Sequence, residues 1–410
     1  MTTVVLAGTL DTKGNEYAYV RDRLREHGVD VILIDVGILG EPLVTPDIGR
    51  EVVAAAGGAD LSELVAARDR GRAIEAMAVG LGAVVRELQK DGELDALLGL
   101  GGGGGSALIA AAMRELPIVV PKLLVSTMIG GETRSFASVI GITVMHSIVD
   151  IAGLNRISER VFTQAAAAAA AMAEASAPVQ PTRPDRPLLG ATMFGVTTPC
   201  VTVARERLEA LGYEVLVFHA TGTGGKTLEQ LVRDGTITGV LDTTTTELAD
   251  DLVGGVLSAG PDRLTAAGET GIPQVVSLGA LDMVNFGPME TVPTKFKGRL
   301  LYKHNSNVTL MRTTPEECAE LGKRLAEKLN QARGPVTLFL PLRGISSIAI
   351  AGQVFHDPDA DAALIGAIRQ TISGHVAVRE MDTDINDPAV ATAMADALHD
   401  YLHARTTERR

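Results

Sequence analysis

Tryptophan is absent from this chain of 410 residues, and five Tyr and eight Phe bring the aromatic share to only 3%. Platforms for stacking nucleic-acid bases are therefore scarce. Basic charge is short as well: 37 Lys and Arg stand against 50 Asp and Glu, a formal net charge of -13. Neutralising a phosphate backbone needs a concentrated basic face, so nucleic acid is not expected as a partner. Cysteine is reduced to Cys200 and Cys318, far apart in sequence. Two such thiols make neither a disulfide framework nor a zinc cluster, and they suit a reducing compartment. No apolar run approaches the ~18 residues of a membrane span, and no basic stretch ahead of an apolar core marks a signal peptide. A cytoplasmic protein that does not enter membranes is the expectation.

Glycine, at 44 residues, is plentiful, and much of it follows short apolar runs. The rhythm of strand, glycine turn and helix predicts parallel sheets covered on both faces. Val4–Ala7 reads as a strand, Thr9–Asn15 as a turn, Glu16–His27 as a helix closed by Gly28, and Val29–Val36 as a second strand. Further strands are expected at Ala96–Leu100 and Leu116–Val120, and an alanine-rich helix at Gln164–Ala177, with Asp150 as the cap of the helix after it. The proline-rich run 178–187 then reads as a linker. It divides an N-terminal domain, 1–177, from a C-terminal domain, 188–410. A gapless shift of 184 residues lays Leu188–Thr192 on Val4–Gly8 and Gly212 on Gly28, so the halves read as related doubly wound α/β units. The second half continues with Tyr302–Met311, a helix opened at Pro315 by the Thr314/Glu317 capping box, and alternating strands and helices to about His403.

In such sheets ligands bind at the carboxyl ends of the strands. The first half offers Thr9, Asp11, Thr12 and Lys13, then Gly37, then Gly101, Gly102, Gly103, Gly104, Gly105 and Ser106, then Ser126, Thr127, Gly130 and Gly131. Five consecutive glycines are costly in chain entropy. Close approach to a phosphate or ribose would justify them; a tight turn between packed elements is the alternative. The run lacks the acidic residue about 20 positions on that a dinucleotide fold wants, so NAD is disfavoured. The second half offers Thr197 and Thr198, then Thr221, Gly222, Gly224 and Gly225, then Thr244 and Thr245, then His304 and Asn305, all as candidates for a small anionic substrate. Ala220 through Thr227 fits a relaxed Walker A pattern, or an anion-binding loop of another kind. His219 ends a strand where a general acid or base could stand. Asp242 and Glu247 bracket four threonines that could serve Mg²⁺ or merely cap a helix, with Thr246 as the N-cap. Arg343 could clamp a carboxylate or pair on the surface. No Ser/His/Asp spacing, G-x-S-x-G or His/Cys cluster marks a hydrolase or a transition-metal site.

Several of these stretches resemble one family. They are Gly8-Thr9-Leu10-Asp11-Thr12-Lys13, Asp35-Val36-Gly37, Met113-Arg114-Glu115-Leu116-Pro117, Asp150 to Arg156, Phe194 to Pro199, Phe218 to Gly222 and Arg312-Thr313-Thr314. The family is that of the ATP-binding domain of the plant resistance protein against tomato mosaic virus and its bacterial homologues. The resemblance covers almost the whole chain. It implies two Rossmann-like domains, a homodimer, and ATP with Mg²⁺ in the N-terminal domain, but no known reaction. The expectation is an ATP-binding protein, with phosphoryl transfer to a small anionic metabolite as its first candidate chemistry. An isomerase, lyase or hydrolase acting on a sugar-acid phosphate, and an ATP-regulated scaffold, stay open beside it.

Overall fold

A computed structural model describes residues 2–128, 141–176 and 186–408. Its contacts divide the chain into two units, Met1–Thr182 and Arg183–Arg410.

The first unit opens with β1 (Thr3–Gly8), α1 (Leu10–Glu26) and β2 (Asp30–Asp35). The helix starts directly after the strand rather than after a turn. Its first free N–H, on Leu10, is taken by Asp35 Oδ1 at 3.0 Å, which replaces the missing cap. Two short helices and a long one connect β2 to the next strand: α2 (Arg50–Ala56), α3 (Leu61–Ala67) and α4 (Arg70–Lys90). Then come β3 (Ala96–Gly101), α5 (Gly103–Arg114), β4 (Lys122–Ser126), β5 (Ile142–His146) and α6 (Arg156–Ala175). The fourth strand is therefore not Leu116–Val120. Prolines 117 and 121 bracket that run as a turn, and the strand begins at the buried Lys122, whose Nζ donates to Pro117 O at 2.6 Å. Asp150 does not cap the next helix either: Asn155 does, accepting from Ile157 N and Ser158 N in a capping box.

The strands β2-β1-β3-β4-β5 lie side by side, all parallel. Val4, Leu6, Leu98 and Val125 pack on one face against α1 and α6. Val5, Ala7, Leu97 and Leu124 pack on the other against α2, α4 and α5. The alanines of α6 serve close packing, since Ala165, Ala166, Ala169, Ala170 and Ala173 are all buried.

The second unit repeats the plan with β6 (Leu188–Met193), α7 (Thr198–Ala210), β7 (Glu214–His219), α8 (Thr223–Arg233), β8 (Gly239–Thr244), α9 (Glu247–Val253), α10 (Ala266–Thr270) and β9 (Gln274–Gly279). A small antiparallel sheet is inserted next, β10 (Met283–Phe286), β11 (Leu301–Lys303) and β12 (Thr309–Arg312), ordered β10-β12-β11. The chain closes with α11 (Pro315–Asn330), β13 (Val336–Pro341), α12 (Pro358–Thr371), β14 (Ala377–Met381) and α13 (Pro388–Glu408). The helix at Pro315 carries the expected capping box, Thr314 Oγ1 accepting from Glu317 N at 3.2 Å.

The large sheet runs β7-β6-β8-β9-β13-β14. Both sheets thus place the second strand outside the first and the third on the first strand's other side. Each has its topological switch point, where a doubly wound fold leaves a crevice, between its first and third strands: β1/β3 and β6/β8.

Candidate functional site

At the β1/β3 crevice the floor is built by side chains that do not face a ligand. Tyr17 reaches from α1 under the strand ends. Its hydroxyl donates toward Ala7 O at 2.9 Å and Leu100 O at 2.7 Å and accepts from Leu100 N at 2.9 Å. Burial holds that phenol above its ordinary ionisation range. Ser106 Oγ lies 2.9 Å from Gly101 O and 2.8 Å from Ser126 Oγ, which in turn accepts from Met128 N. Both serines are fully buried. They tie β3 to β4 beneath the glycine run.

The glycines above them divide into two kinds. A Cβ on Gly99 would meet Ile109 at 2.6 Å, and one on Gly101 would lie 2.5 Å from Ser106 N. Packing requires glycine at those two positions. A Cβ on Gly102, Gly103 or Gly105 would find nothing nearer than Thr127 Oγ1 at 3.7 Å, Met128 Sδ at 3.9 Å and Leu100 O at 3.9 Å. Packing within the chain does not require glycine there. Gly102 is the N-cap of α5 and offers no side-chain cap. Ser106 N closes the first turn on Gly102 O at 2.8 Å. The N–H groups of Gly103, Gly104 and Gly105 therefore point outward without a partner among the described residues, at the positive end of a helix. Beside them stand the Thr127 hydroxyl and Arg70, whose Nη2 would be 3.1 Å from a Gly104 Cβ. Arg70 carried no signal beyond its place in the charged run Arg68–Arg72, and the sequence reading missed it.

The remaining candidates of this unit have partners of their own. Lys13 Nζ donates to Ile151 O. Asp11 Oδ2 accepts from Leu39 N at 2.7 Å and Gly40 N at 3.3 Å. Gly37 N donates to Asp35 Oδ1 at 2.8 Å. The hydroxyls of Thr9 and Thr12 meet at 3.0 Å on the first turn of α1. Gly130 and Gly131 lie outside the described residues.

The β6/β8 crevice is differently furnished. Its core is Arg263, fully buried and facing three carboxylates: Asp242 at 2.5 and 2.7 Å, Glu247 at 2.6 Å and Glu229 at 3.3 Å. These neighbours raise an already basic guanidinium further, against the opposing pull of desolvation. Asp242 Oδ1 also accepts from Thr192 Oγ1 at 2.7 Å. Glu247 Oε1 accepts from Gly222 N at 2.6 Å and Gly225 N at 3.0 Å. The start of α8, the Walker-like loop, thus already holds an anion, and the protein supplies it. Its glycines are accounted for in the same way. A Gly225 Cβ would strike Glu247 Oε2 at 2.2 Å, a Gly224 Cβ would strike His219 O at 1.9 Å, and Gly222 has φ +83°. Asp242 and Glu247 are structural counter-charges, with no carboxylate oxygen left without a partner.

The candidate threonines are engaged too, whereas the hydroxyl of the neighbouring Thr243 is buried with no hydrogen-bond partner. Thr197 Oγ1 meets Thr244 Oγ1 at 2.7 Å, Thr245 Oγ1 donates to Ser277 O, and Thr198 Oγ1 donates to Phe194 O. Thr246 is the N-cap residue of α9, but its side chain makes no capping bond; it accepts from Asn285 Nδ2 at 3.3 Å. Thr221 Oγ1 donates back to His219 O. The His219 ring lies 5.3 Å from that of Phe194, centroid to centroid. His304 and Asn305 stand on the β11–β12 hairpin, not at a strand end of the parallel sheet. Arg343 pairs on the surface with Asp382.

Two further acids here, Asp250 beside the carboxylate and threonine cluster and Asp282 after β9, are fully buried. Asp250 accepts from Leu257 N, Asn285 N and Asn285 Nδ2, and burial pushes its carboxyl up to about 7. Asp282 accepts from Ser346 Oγ at 2.8 Å and is pushed by burial up to about 6, with Arg312 opposing. No group of three or more His, Cys, Asp or Glu among the described residues is arranged to hold a metal ion. No helix among them is long and apolar enough to cross a membrane.

Two α/β units, each built on a parallel sheet of matching topology, define a two-domain α/β protein. The chain belongs to the uncharacterised protein family UPF0261: the model of that family's N-terminal domain matches residues 2–178 and that of its C-terminal domain matches residues 186–402. It is 48% identical to a UPF0261 protein of Clostridium tetani over 96% of this chain and 98% of that one. It is 42% identical to the tomato ToMV resistance protein Tm-1(GCR237) over 80% of this chain and 44% of the tomato protein. Among solved structures, a UDP-N-acetylglucosamine 2-epimerase from Rickettsia bellii aligns with 67% of this chain and 78% of its own, at 10% identity and a TM-score of 0.24.

Proposed function

We propose that this protein binds ATP through its phosphates at the start of α5 in the N-terminal unit. The observation that carries the reading is the set of glycines that packing does not require. With no side chains at Gly102, Gly103 and Gly105, the N–H groups of Gly103, Gly104 and Gly105 and the Thr127 hydroxyl stay open at the switch point of a parallel sheet. Such a nest suits the oxygens of a phosphate, and Arg70 adds a guanidinium that can take two of them. Thr9 and Thr12 flank the same crevice from the start of α1. Asp11, Lys13, Gly37, Ser106 and Ser126 shape the site through their internal bonds rather than by touching the nucleotide. Mg²⁺ fits this reading as a companion of the phosphates, held by them and by water, since it typically needs few protein ligands. The choice of ATP among phosphorylated ligands rests on the resemblance of the loop sequences to an ATP-binding domain family. Assembly as a homodimer and a cytoplasmic location belong to the same proposal. Phosphoryl transfer remains its possible chemistry, with the acceptor undefined.

The test is calorimetric titration with Mg-ATP, ADP and inorganic phosphate of wild type and of Gly103→Val. Binding of Mg-ATP that the variant loses while staying folded supports the reading. A folded wild type that takes inorganic phosphate and sugar-acid phosphates but shows no preference for ATP would replace it with the phosphorylated-metabolite alternative.

A further inference from the structure

The last helix carries two metal-ligating side chains that the nucleotide reading does not use. α13 buries Met394, Ala395 and Leu398 in the second unit's core, with Leu402 partly buried beside them. His399 and His403 stand one position further round, the first half-buried and the second exposed. Four residues apart, they leave the same face of the helix on successive turns. Their ring centroids lie 5.8 Å apart. Two imidazoles sharing a tetrahedral Zn²⁺ through bonds of about 2.0–2.1 Å hold their centroids roughly 5 Å apart. A small rotation of the exposed His403 ring separates the observed spacing from that one.

The His399 ring is held in place from outside the helix. Its Nδ1 lies 2.8 Å from Tyr213 Oη, and the phenol packs edge-on against it, with 5.7 Å between centroids and 69° between planes. Tyr213 sits between α7 and β7 and belongs to the same buried core. With Nδ1–H donating to the phenol oxygen, Nε2 is the nitrogen that carries the lone pair. Outer partners of this kind fix the tautomer and direction of ligating histidines. Asp396, one turn before His399, and the exposed Asp400 add negative charge beside the pair. We infer that His399 and His403 chelate one divalent transition-metal ion of the Zn²⁺ type, with water in its remaining positions. Imidazole suits Zn²⁺, Ni²⁺ and Cu²⁺, whereas Mg²⁺ and Ca²⁺ take oxygen ligands, so this ion is distinct from any Mg²⁺ that accompanies a nucleotide. The two nitrogens come together only when the last turns of α13 are helical. An ion bound to them therefore stabilises the folded helix against the unfolded chain.

The experiment uses the full chain without nucleotide, stripped of metal by a chelator, so its outcome is independent of the ATP assignment. Zn²⁺ is titrated calorimetrically, thermal unfolding is recorded with and without it, and histidine ring nitrogens are followed by NMR. The chain is expected to take one Zn²⁺, to unfold at a higher temperature with it, and to lose that gain when EDTA is added. The Nε2 signal of His399 should shift while its Nδ1 keeps the proton. His403→Gln and His399→Gln should each weaken binding at least about tenfold and remove the stabilisation; the exposed position is tested first, and each variant serves if the other does not fold. Tyr213→Phe keeps both ligands and should weaken binding by about tenfold or more, with His399 no longer held in one tautomer. Zn²⁺ binding that both glutamine variants retain belongs to other histidines of the chain and overturns the proposal. So does a wild type with no saturable binding. Unchanged affinity in Tyr213→Phe overturns the positioning role given to that phenol.

Discussion

The two kinds of glycine in the α5 loop make opposite predictions from one small change. In Gly103→Ala the new methyl meets nothing nearer than Met128 Sδ at 3.9 Å, and the residue does not have a positive φ. Replacing a compatible glycine in a first helical turn removes unfolded-state freedom and stabilises by roughly 0.4–1 kcal/mol. For a domain of this size that is about 1–4 °C in the unfolding midpoint. In Gly101→Ala the methyl lands 2.5 Å from Ser106 N and 2.8 Å from Gly105 C, both backbone. Relief means lifting α5 off β3, an overpacking cost of about 1–3 kcal/mol. Thermal unfolding of both variants, with Mg-ATP titration of each at a temperature where both are folded, reads the two effects together. Gly103→Ala should melt no lower than wild type and bind Mg-ATP at least about tenfold more weakly, a loss near 1.4 kcal/mol. A Gly103→Ala protein that is destabilised would mean packing had a hidden claim on that glycine. One that binds Mg-ATP like wild type would mean that no ligand approaches the backbone there. Either result removes the argument from the glycine cradle.

Arg263→Met should cost the C-terminal unit about 3–5 kcal/mol in urea unfolding, because it strands buried carboxylates that share one cation; a loss under about 1 kcal/mol would show that they protonate freely. Gly225→Ala should displace Glu247 from the α8 nest and lower the stability of that unit by about 1–3 kcal/mol, leaving Mg-ATP titration of the N-terminal unit unchanged; weaker ATP binding would place the nucleotide in the second unit after all. Asp250, raised from its ordinary 3.8 to about 7, binds its proton more tightly folded than unfolded. Its contribution to stability is therefore full below pH 3.8 and is lost as pH rises to about 7. Asp250→Asn should flatten that part of the stability–pH curve, and an unchanged slope would contradict the burial argument.

The strand-and-glycine rhythm was enough to read both parallel sheets, because a strand buried on both faces is a continuous apolar run. It failed where burial and polarity part company. Leu116–Val120 reads as a strand, but its flanking prolines make a turn, and the real strand hides behind Lys122, a lysine sealed by Pro117 O. The antiparallel insert went unread because Asn285 breaks the apolar run of β10, although that side chain is buried on Asp250. The ion cluster was illegible for another reason: Arg263 lies far along the chain from Asp242, and no spacing announces that they meet. In the candidate loops, sequence shows which residues are glycine but not which neighbour requires them. Gly224 and Gly103 look alike as letters, yet one backs onto His219 O and the other faces open space.

The two switch points act as controls for each other. Both lie between the first and third strands of a doubly wound sheet, and both are rimmed by a glycine-rich loop that starts a helix. If such loops were only a way to turn tightly from strand to helix, both should be explained by contacts within the chain. The α8 loop is so explained: its N–H groups hold Glu247, and Glu247 is held by Arg263. The α5 loop is not. Its floor is fastened by Tyr17, Ser106 and Ser126, so the turn is already rigid beneath it, and no internal carboxylate among the described residues reaches its N–H groups. The same backbone device is filled in one unit by the protein's own anion and left open in the other. On the proposed reading an anion from solution takes the place that Glu247 fills in the second unit, and Arg70 beside Gly104 has the charge to receive it.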